Sequence, residues 1–208
     1  FEKFNDDILM LQSMFAVTFT ANRNSRWLYE ILQFLYRHIE ELNDQEFGTR
    51  FKDFLEKMAM RYAEENLFDK DRRIKKYFNF VDYVLWKNRE ELKKDYDVKF
   101  EDFKFAYRRS IEHWFPQHPN SDERVEKLDD KFLHSFGNLC IITDSQNSKF
   151  GNLVPSAKYK QWEGIFNRQS LKLQMMADVT VKNDKWGICE IQSMEKEVER
   201  YVHDFCDS

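Results

Sequence analysis

Two short stretches in the second half of the chain decide how the rest is interpreted: SIEHWFPQ at residues 110–117 and GNLCIITDSQNS at residues 137–148. Apolar and β-branched residues predict a short strand in each stretch, and Pro116 ends the first strand because proline has no backbone N–H to donate. Asp144 and Ser145 are residue types that cap the start of a helix. The two stretches therefore predict a strand, a polar loop, a second strand and a helix.

The residues before the first stretch predict that its strand begins early. Phe103, Phe105 and Tyr107 alternate with more polar or smaller residues, and this alternation is typical of a half-buried strand. We expect this strand to deliver Glu112 and His113 at its end. Neighbouring residues of a strand point to opposite faces, so these two side chains diverge unless the strand end is twisted.

In this order the segments resemble the ββα-metal core of HNH (His-Me finger) nucleases. The closer resemblance is to the C-terminal nuclease domain of GmrSD-type, modification-dependent restriction endonucleases. That family is known by an IEH..PQ segment, a GNL segment with an asparagine after it, and a lysine that follows a short helix start. Its characteristic residues correspond here to Glu112, His113, Asn138, Asn147 and Lys158.

The resemblance implies a role for each of these residues. His113 would be the general base that faces the scissile phosphate, and Asn138 would tie the loop and orient that histidine. Glu112 and Asn147 would be metal ligands, and such oxygen donors suit Mg²⁺ or Mn²⁺ better than Zn²⁺. Lys158 would contact a phosphate. Neutral imidazole has a pKa suited to removing a proton from water at cellular pH, which phosphodiester hydrolysis requires.

Two further histidines near these segments, His118 and His134, are expected at the surface. The alternative is a zinc site formed by these two with His113 and Cys140, although their spacing matches no regular zinc motif. Taken singly, each segment also has a structural explanation, because Gly-Asn-Leu is usually a turn and Asn147 alone is most often a helix cap. The ordered combination favours the nuclease core.

Residues 149–172 contain five basic residues and one acidic residue, a net charge of +4. Within this segment we predict that Lys149, Lys158 and Lys160 bind DNA phosphates without reading base sequence. The alternative is a solvated helix face. The whole chain has a net charge of −4, so it is not a globally basic nucleic-acid binder, and any DNA contact must be local.

Outside the central stretches, apolar residues recur at helical spacing. Helices are expected near residues 4–19, after the N-cap Ser25, from Phe47 to Tyr62, after the charged segment 69–73, and from Leu171 onward. The expected fold class is mainly α with a small β-hairpin, a helical domain that carries a ββα-metal core. Residues 1–98 would form the helical N-terminal part, and residues 99–208 the HNH-like nuclease part with C-terminal helices.

Composition limits the class of protein. The 208 residues include 5 Gly, 3 Pro and 20 Phe, which favours a packed, mainly helical chain over a disordered one. No apolar run approaches the roughly 20 residues that span a bilayer, and no signal-peptide pattern is present. We therefore expect a fragment of a longer cytoplasmic protein with no membrane partner. The three cysteines have no Cys-x-x-Cys spacing and are expected to be reduced.

The functional hypothesis is a divalent-metal-dependent DNA endonuclease or nickase, the C-terminal effector part of an antiphage restriction-type protein. GmrSD-type proteins also carry an N-terminal nucleotide-binding domain, whose motif does not occur in these 208 residues. That domain is expected as a partner within the same protein. The alternative is a helical regulatory or interaction module whose HNH remnant binds DNA without cleaving it. The sequence leaves the oligomeric state open.

Overall fold

A computed structural model describes residues 4–20, 25–67, 75–120 and 127–207 of the chain. The prediction of a mainly α fold with a small hairpin is confirmed, because these residues form ten α-helices and one two-stranded sheet. The helices are α1 (Asn5–Thr18), α2 (Arg26–Arg37), α3 (Phe47–Leu67), α4 (Lys75–Lys87), α5 (Arg89–Leu92), α6 (Asp130–Leu133), α7 (Asp144–Phe150), α8 (Pro155–Trp162), α9 (Leu171–Asn183) and α10 (Ile188–Cys206), and the strands are β1 (Ser110–His113) and β2 (Leu139–Ile142).

The chain divides into two compact units. The first contains residues 1–83 with 105–107, and the second contains residues 84–104 with 108–208. The charged segment 69–73, expected to break two helices, lies outside the described residues. Within the described ranges, no helix combines the length and the apolar character that crossing a bilayer requires. The functional division at residues 98 and 99 stays a prediction.

Aromatic and aliphatic side chains form the core of the first unit. α1 packs against α3, and Leu11, Phe15, Phe47 and Leu55 are completely buried. The ring of Phe15 also stacks on Trp27, with ring centroids 5.7 Å apart. Each such buried side chain contributes about 1.5–3 kcal/mol relative to an exposed one. The helices predicted near residues 4–19 and from Phe47 to Tyr62 are therefore present and packed against each other.

α2 has the predicted spacing, but some of its apolar residues are exposed. Leu28 and Leu32 are 44% and 55% exposed, and Ile31 is the buried residue of this helix. Ser25 stands at the N-cap position, although its side chain makes no capping hydrogen bond. Periodicity therefore identified the helix, but it could not show which of its apolar residues have a packing partner.

The hairpin forms the centre of the second unit. β1 and β2 pair antiparallel, with Glu112 opposite Cys140 and His113 opposite Leu139. Every residue of β2 is buried, and α9 packs against this strand. α10 lies on the 3₁₀ turn of residues 136–138 that leads into β2. Glycine is required at residue 137 because a Cβ atom there would stand 2.0 Å from the carbonyl oxygen of Ile191.

The prediction that the first strand begins near Phe103 was wrong. β1 begins at Ser110 and is four residues long. β2 is equally short, and its residues pair with residues 110–113. Alternation of apolar and polar residues describes an extended segment, but a strand also requires a neighbour that accepts its backbone hydrogen bonds.

The helix predicted after the second strand is present as α7, but its cap was assigned to the wrong residue. Thr143 is the N-cap and forms a capping box with Gln146: each side chain binds the backbone N–H of the other. Asp144 instead accepts hydrogen bonds from the side chains of Arg109 and Ser110. The first turn of α7 is thereby linked to the start of β1.

Candidate active site

The end of β1 places its two chemically important side chains on opposite sides, as strand geometry requires. Glu112 is buried at 8% exposure, whereas His113 is half-buried. The antiparallel pairing with β2 and the hydrogen bond from the Trp114 backbone N–H to the carbonyl oxygen of Asn138, at 2.9 Å, fix the strand end. His113 therefore stands on a rigid element with its ring turned away from the buried carboxylate.

Beneath this strand end lies a buried ion pair. Nζ of Lys158 donates to Oε1 of Glu112 at 2.6 Å and to the backbone carbonyls of His113 and Trp114 at 2.7 and 3.0 Å. These three bonds use all three donors of the ammonium group. The Lys158 side chain is 0% exposed and that of Glu112 is 11% exposed. The pair therefore fastens both the carboxylate and the backbone of β1.

Burial shifts the pKa values of this pair toward the neutral forms. It raises the pKa of the Glu112 carboxyl, although the Lys158 charge and hydrogen bond oppose the shift. It lowers the pKa of Lys158, with Glu112 acting in the opposite direction. Removal from water is the larger effect in each case because a low-dielectric interior disfavours charge.

The burial of Lys158 does not fit the phosphate contact expected from the sequence. Its ammonium has no exposed surface, and its donors are already used within the protein. A DNA backbone could reach it only if this network opened. In the described conformation, Lys158 therefore positions the residues around His113.

The side chain of Asn138 makes four hydrogen bonds, which is the full capacity of an amide. Oδ1 accepts from the backbone N–H of Phe115 at 2.8 Å and from Nε1 of Trp186 at 3.1 Å. Nδ2 donates to the carbonyls of Phe115 at 3.1 Å and of Leu133 at 2.9 Å. Asn138 thus ties the segment after His113 to the end of α6. Its bonds hold the loop through the backbone.

The structure brings His113 together with His134, a residue that the sequence placed at the surface. Nε2 of His113 lies 3.0 Å from Nδ1 of His134, and both rings are half-buried. The rings meet edge to face, with centroids 5.0 Å apart. The sequence grouped the two histidines only in the alternative zinc site, because a 20-residue gap separates them and the intervening residues match no motif.

The residues predicted to hold a metal lie in different surroundings. Asn147 is exposed on α7, where its amide oxygen is a ligand type that Mg²⁺ accepts. Glu112 fits poorly, because Oε1 is bound by a buried ammonium whose charge would repel a divalent cation. Both residues therefore carry oxygen atoms that Mg²⁺ accepts as ligands, but the positive charge beside Glu112 disfavours a cation there.

The alternative zinc site is not formed by its four candidate residues. Among the described residues, no group of three or more His, Cys, Asp or Glu side chains could hold a metal ion. Cys140 is buried within β2, and His118 is exposed. Two of the four residues, His113 and His134, lie within hydrogen-bond distance of each other.

The predicted basic segment presents fewer charges to solvent than its composition suggested. Lys149, Lys160 and Arg168 are exposed, and so is Glu163. Lys172, like Lys158, is buried, and its Nζ donates to the backbone carbonyls of Phe136 and Leu139. Three exposed basic residues against one acidic residue leave a net charge of +2 at the surface, instead of +4 for the whole segment.

Comparison with known proteins identifies a family. The family model described as "GmrSD restriction endonucleases, C-terminal domain" matches residues 60–198, which is more than half of the chain and includes every predicted site residue. No curated protein and no solved structure matches the chain significantly. The match covers β1, β2 and α7 completely, together with parts of both compact units.

Proposed function

The chain belongs to the family of GmrSD restriction endonuclease C-terminal domains, and on that premise we propose that it is the nuclease part of a restriction system that hydrolyses phosphodiester bonds in DNA. The observation that carries the proposal is the placement of His113. It stands half-buried at the end of a short strand whose backbone is fixed from below by Lys158 and from the side by Asn138. A base held in this way needs little reorganisation before it reacts.

We further propose that β1, β2 and α7 form a ββα core of the HNH type. Two antiparallel strands followed directly by a helix support this assignment. The side chains of Arg109 and Ser110 join the start of β1 to Asp144 at the start of α7. In this arrangement Asn147 lies one turn into the helix that follows the second strand.

In the proposed mechanism, His113 accepts a proton from a water molecule, and the oxygen of that water attacks phosphorus. Loss of a general base typically lowers a rate by about 10²–10⁴-fold. Lys158 and Asn138 hold the strand end, and Glu112 neutralises the buried ammonium of Lys158. Each of these three acts through the position of His113.

A divalent cation, Mg²⁺ or Mn²⁺, is part of the proposal because phosphodiester hydrolysis develops negative charge that such a cation neutralises. Asn147 would hold it. Glu112 could contribute only beside the ammonium of Lys158, which weakens it as a ligand. The substrate would be DNA held through exposed Lys149 and Lys160, contacts that bind phosphates without reading bases.

A second candidate function is DNA binding without cleavage. This module would be a helical regulatory or interaction domain whose HNH remnant contacts DNA through a local surface. The net charge of −4 and the small exposed basic surface favour it over a nuclease that must hold its substrate by itself. The nuclease requires His113 for hydrolysis, whereas a protein that binds DNA without cleaving it does not.

A plasmid-nicking assay with Mg²⁺ or Mn²⁺, with and without EDTA, tests the proposal. We expect nicking by the parent protein, loss of nicking in EDTA, and a loss of about 10²-fold or more in His113→Ala. The matched control is His118→Ala, which alters an exposed histidine five residues away. Nicking that is unchanged in a folded His113→Ala protein would contradict the mechanism, and no nicking by any variant would favour the binding module.

A further inference from the structure

The pair of His113 and His134 extends the proposed function to a residue that has no assigned role. Two imidazoles 3.0 Å apart share one hydrogen bond, in which one ring nitrogen donates and the other accepts. The bond joins Nε2 of His113 to Nδ1 of His134. Nδ1 of His113 is the ring nitrogen that takes no part in this bond.

We infer that His134 is a positioning residue for His113 and holds its imidazole in the orientation and tautomer that the base needs. This inference rests on the proposed nuclease function. With His134 accepting at Nδ1, His113 carries its hydrogen on Nε2 and a lone pair on Nδ1. The bond also prevents the His113 ring from turning about its Cβ–Cγ axis.

The backbone around both histidines is built to maintain this contact. The backbone N–H of His134 donates to the carbonyl of Asp130 at 3.0 Å, which ends α6 at this residue. The preceding carbonyl, that of Leu133, accepts from Nδ2 of Asn138 at 2.9 Å. The same Nδ2 donates to the carbonyl of Phe115, two residues beyond His113. One buried amide thus fixes the chain on both sides of the histidine pair.

The contact also stabilises the charge that forms in the reaction. When His113 takes the water proton on Nδ1, the freed O–H electron pair forms the new bond to phosphorus. The leaving oxygen departs with the electrons of its bond to phosphorus and takes a proton from solvent. His113 is then a cation with hydrogen on both nitrogens, and its Nε2–H continues to donate to His134. A charge-assisted hydrogen bond is about twice as strong as a neutral one.

The test compares His134→Ala and His134→Asn with the parent in the nicking assay. The Asn side chain places a polar atom bonded to Cγ, where Nδ1 of histidine stands, and it can donate or accept. We expect His134→Ala to lower kcat by about 10–100-fold, as a misplaced catalytic group does, with KM nearly unchanged. We expect His134→Asn to restore most of the rate, and His118→Ala to match the parent.

A second readout does not depend on cleavage. In NMR spectra of the DNA-free protein, the Nε2–H of His113, assigned by its loss in His113→Ala, should be protected from exchange with water in the parent and in His134→Asn. It should be lost in His134→Ala. An unchanged His113 signal in folded His134→Ala protein would overturn the inference, as would equal kcat values for His134→Ala and the parent. If no variant cleaves but the NMR signals behave as expected, the nuclease proposal fails, while the control of the His113 tautomer by His134 stands as a structural contact.

Discussion

Both compact units bury apolar side chains, but the buried cations among the described residues lie in the second unit. In the first unit the completely buried residues include Phe15, Phe47 and Leu55. In the second unit the buried residues include the cations Arg108, Lys158 and Lys172, and each donates to backbone carbonyls. Apolar burial stabilises a unit but does not fix the orientation of particular groups, because the hydrophobic effect is non-directional. A buried cation that binds carbonyls does fix particular backbone atoms. The second unit therefore uses directional bonds where the candidate site requires a fixed geometry.

The largest expected effect is that of removing the Lys158 ammonium. Lys158→Met should lower the free energy of unfolding by about 3–5 kcal/mol, because it leaves the Glu112 carboxylate buried without its partner. Urea unfolding measures this change. The double variant Glu112→Gln/Lys158→Met should recover part of the loss, because it removes the unpaired charge.

Lys172→Met is the matched control for that prediction. Lys172 is also buried, and the hydrogen bonds described for it go to carbonyl oxygens and to Sδ of Met176, which are uncharged acceptors. We expect a smaller loss of stability than for Lys158→Met. Equal losses in both variants would mean that the Glu112 contact is not the important part of the network.

Asn138→Ala should follow in size. It removes the partner of the backbone N–H of Phe115, of Nε1 of Trp186 and of two carbonyls. We expect a loss of about 1–3 kcal/mol, because all of these groups are neutral and an unpaired buried charge costs more. Thermal unfolding and the nicking rate should both decrease. Asn138→Asp keeps the acceptor but not the two donors, so it should not rescue. A stable and active Asn138→Asp protein would show that the bonds from Nδ2 to the carbonyls of Phe115 and Leu133 do not matter.

A change in the aromatic core should have a moderate effect on stability and none on the reaction. Phe47→Leu removes part of a completely buried ring and should cost about 1 kcal/mol. At a temperature where the variant is fully folded, its nicking rate should equal that of the parent. A lower rate in the folded variant would contradict this contrast between the two units, because apolar packing in the first unit would then contribute to the geometry of the site.

The smallest change in stability is expected at the exposed basic residues. Lys149→Ala and Lys160→Ala should stay within about 0.5 kcal/mol of the parent in unfolding. Each should reduce the slope of log K against log salt for duplex DNA binding by about 0.9. Lys196→Ala, an exposed lysine on α10, is the control. A slope that is unchanged in the Lys149→Ala/Lys160→Ala double variant would identify this surface as a solvated helix face.

Much of the local structure could be predicted from the sequence because it depends on neighbouring residues. Apolar spacing identified helices such as α1 and α3, and the short β-branched run identified β2. The predicted start of β1 and the cap of α7 were wrong for a different reason. An extended strand needs a partner of matching length, and a cap depends on which hydroxyl or carboxylate is already bound elsewhere, as Asp144 is by Arg109.

The sequence by itself determined the order of the two strands and α7, the family, and the candidate residues Glu112, His113, Asn138 and Asn147, since these follow from local pattern and motif. Only the tertiary structure decided what surrounds them. The sequence predicted a phosphate contact for Lys158, whereas the structure buries it in an ion pair with Glu112. His134 lies 21 residues from its partner. Burial and long-range contact depend on how distant segments pack, and no local pattern encodes that packing.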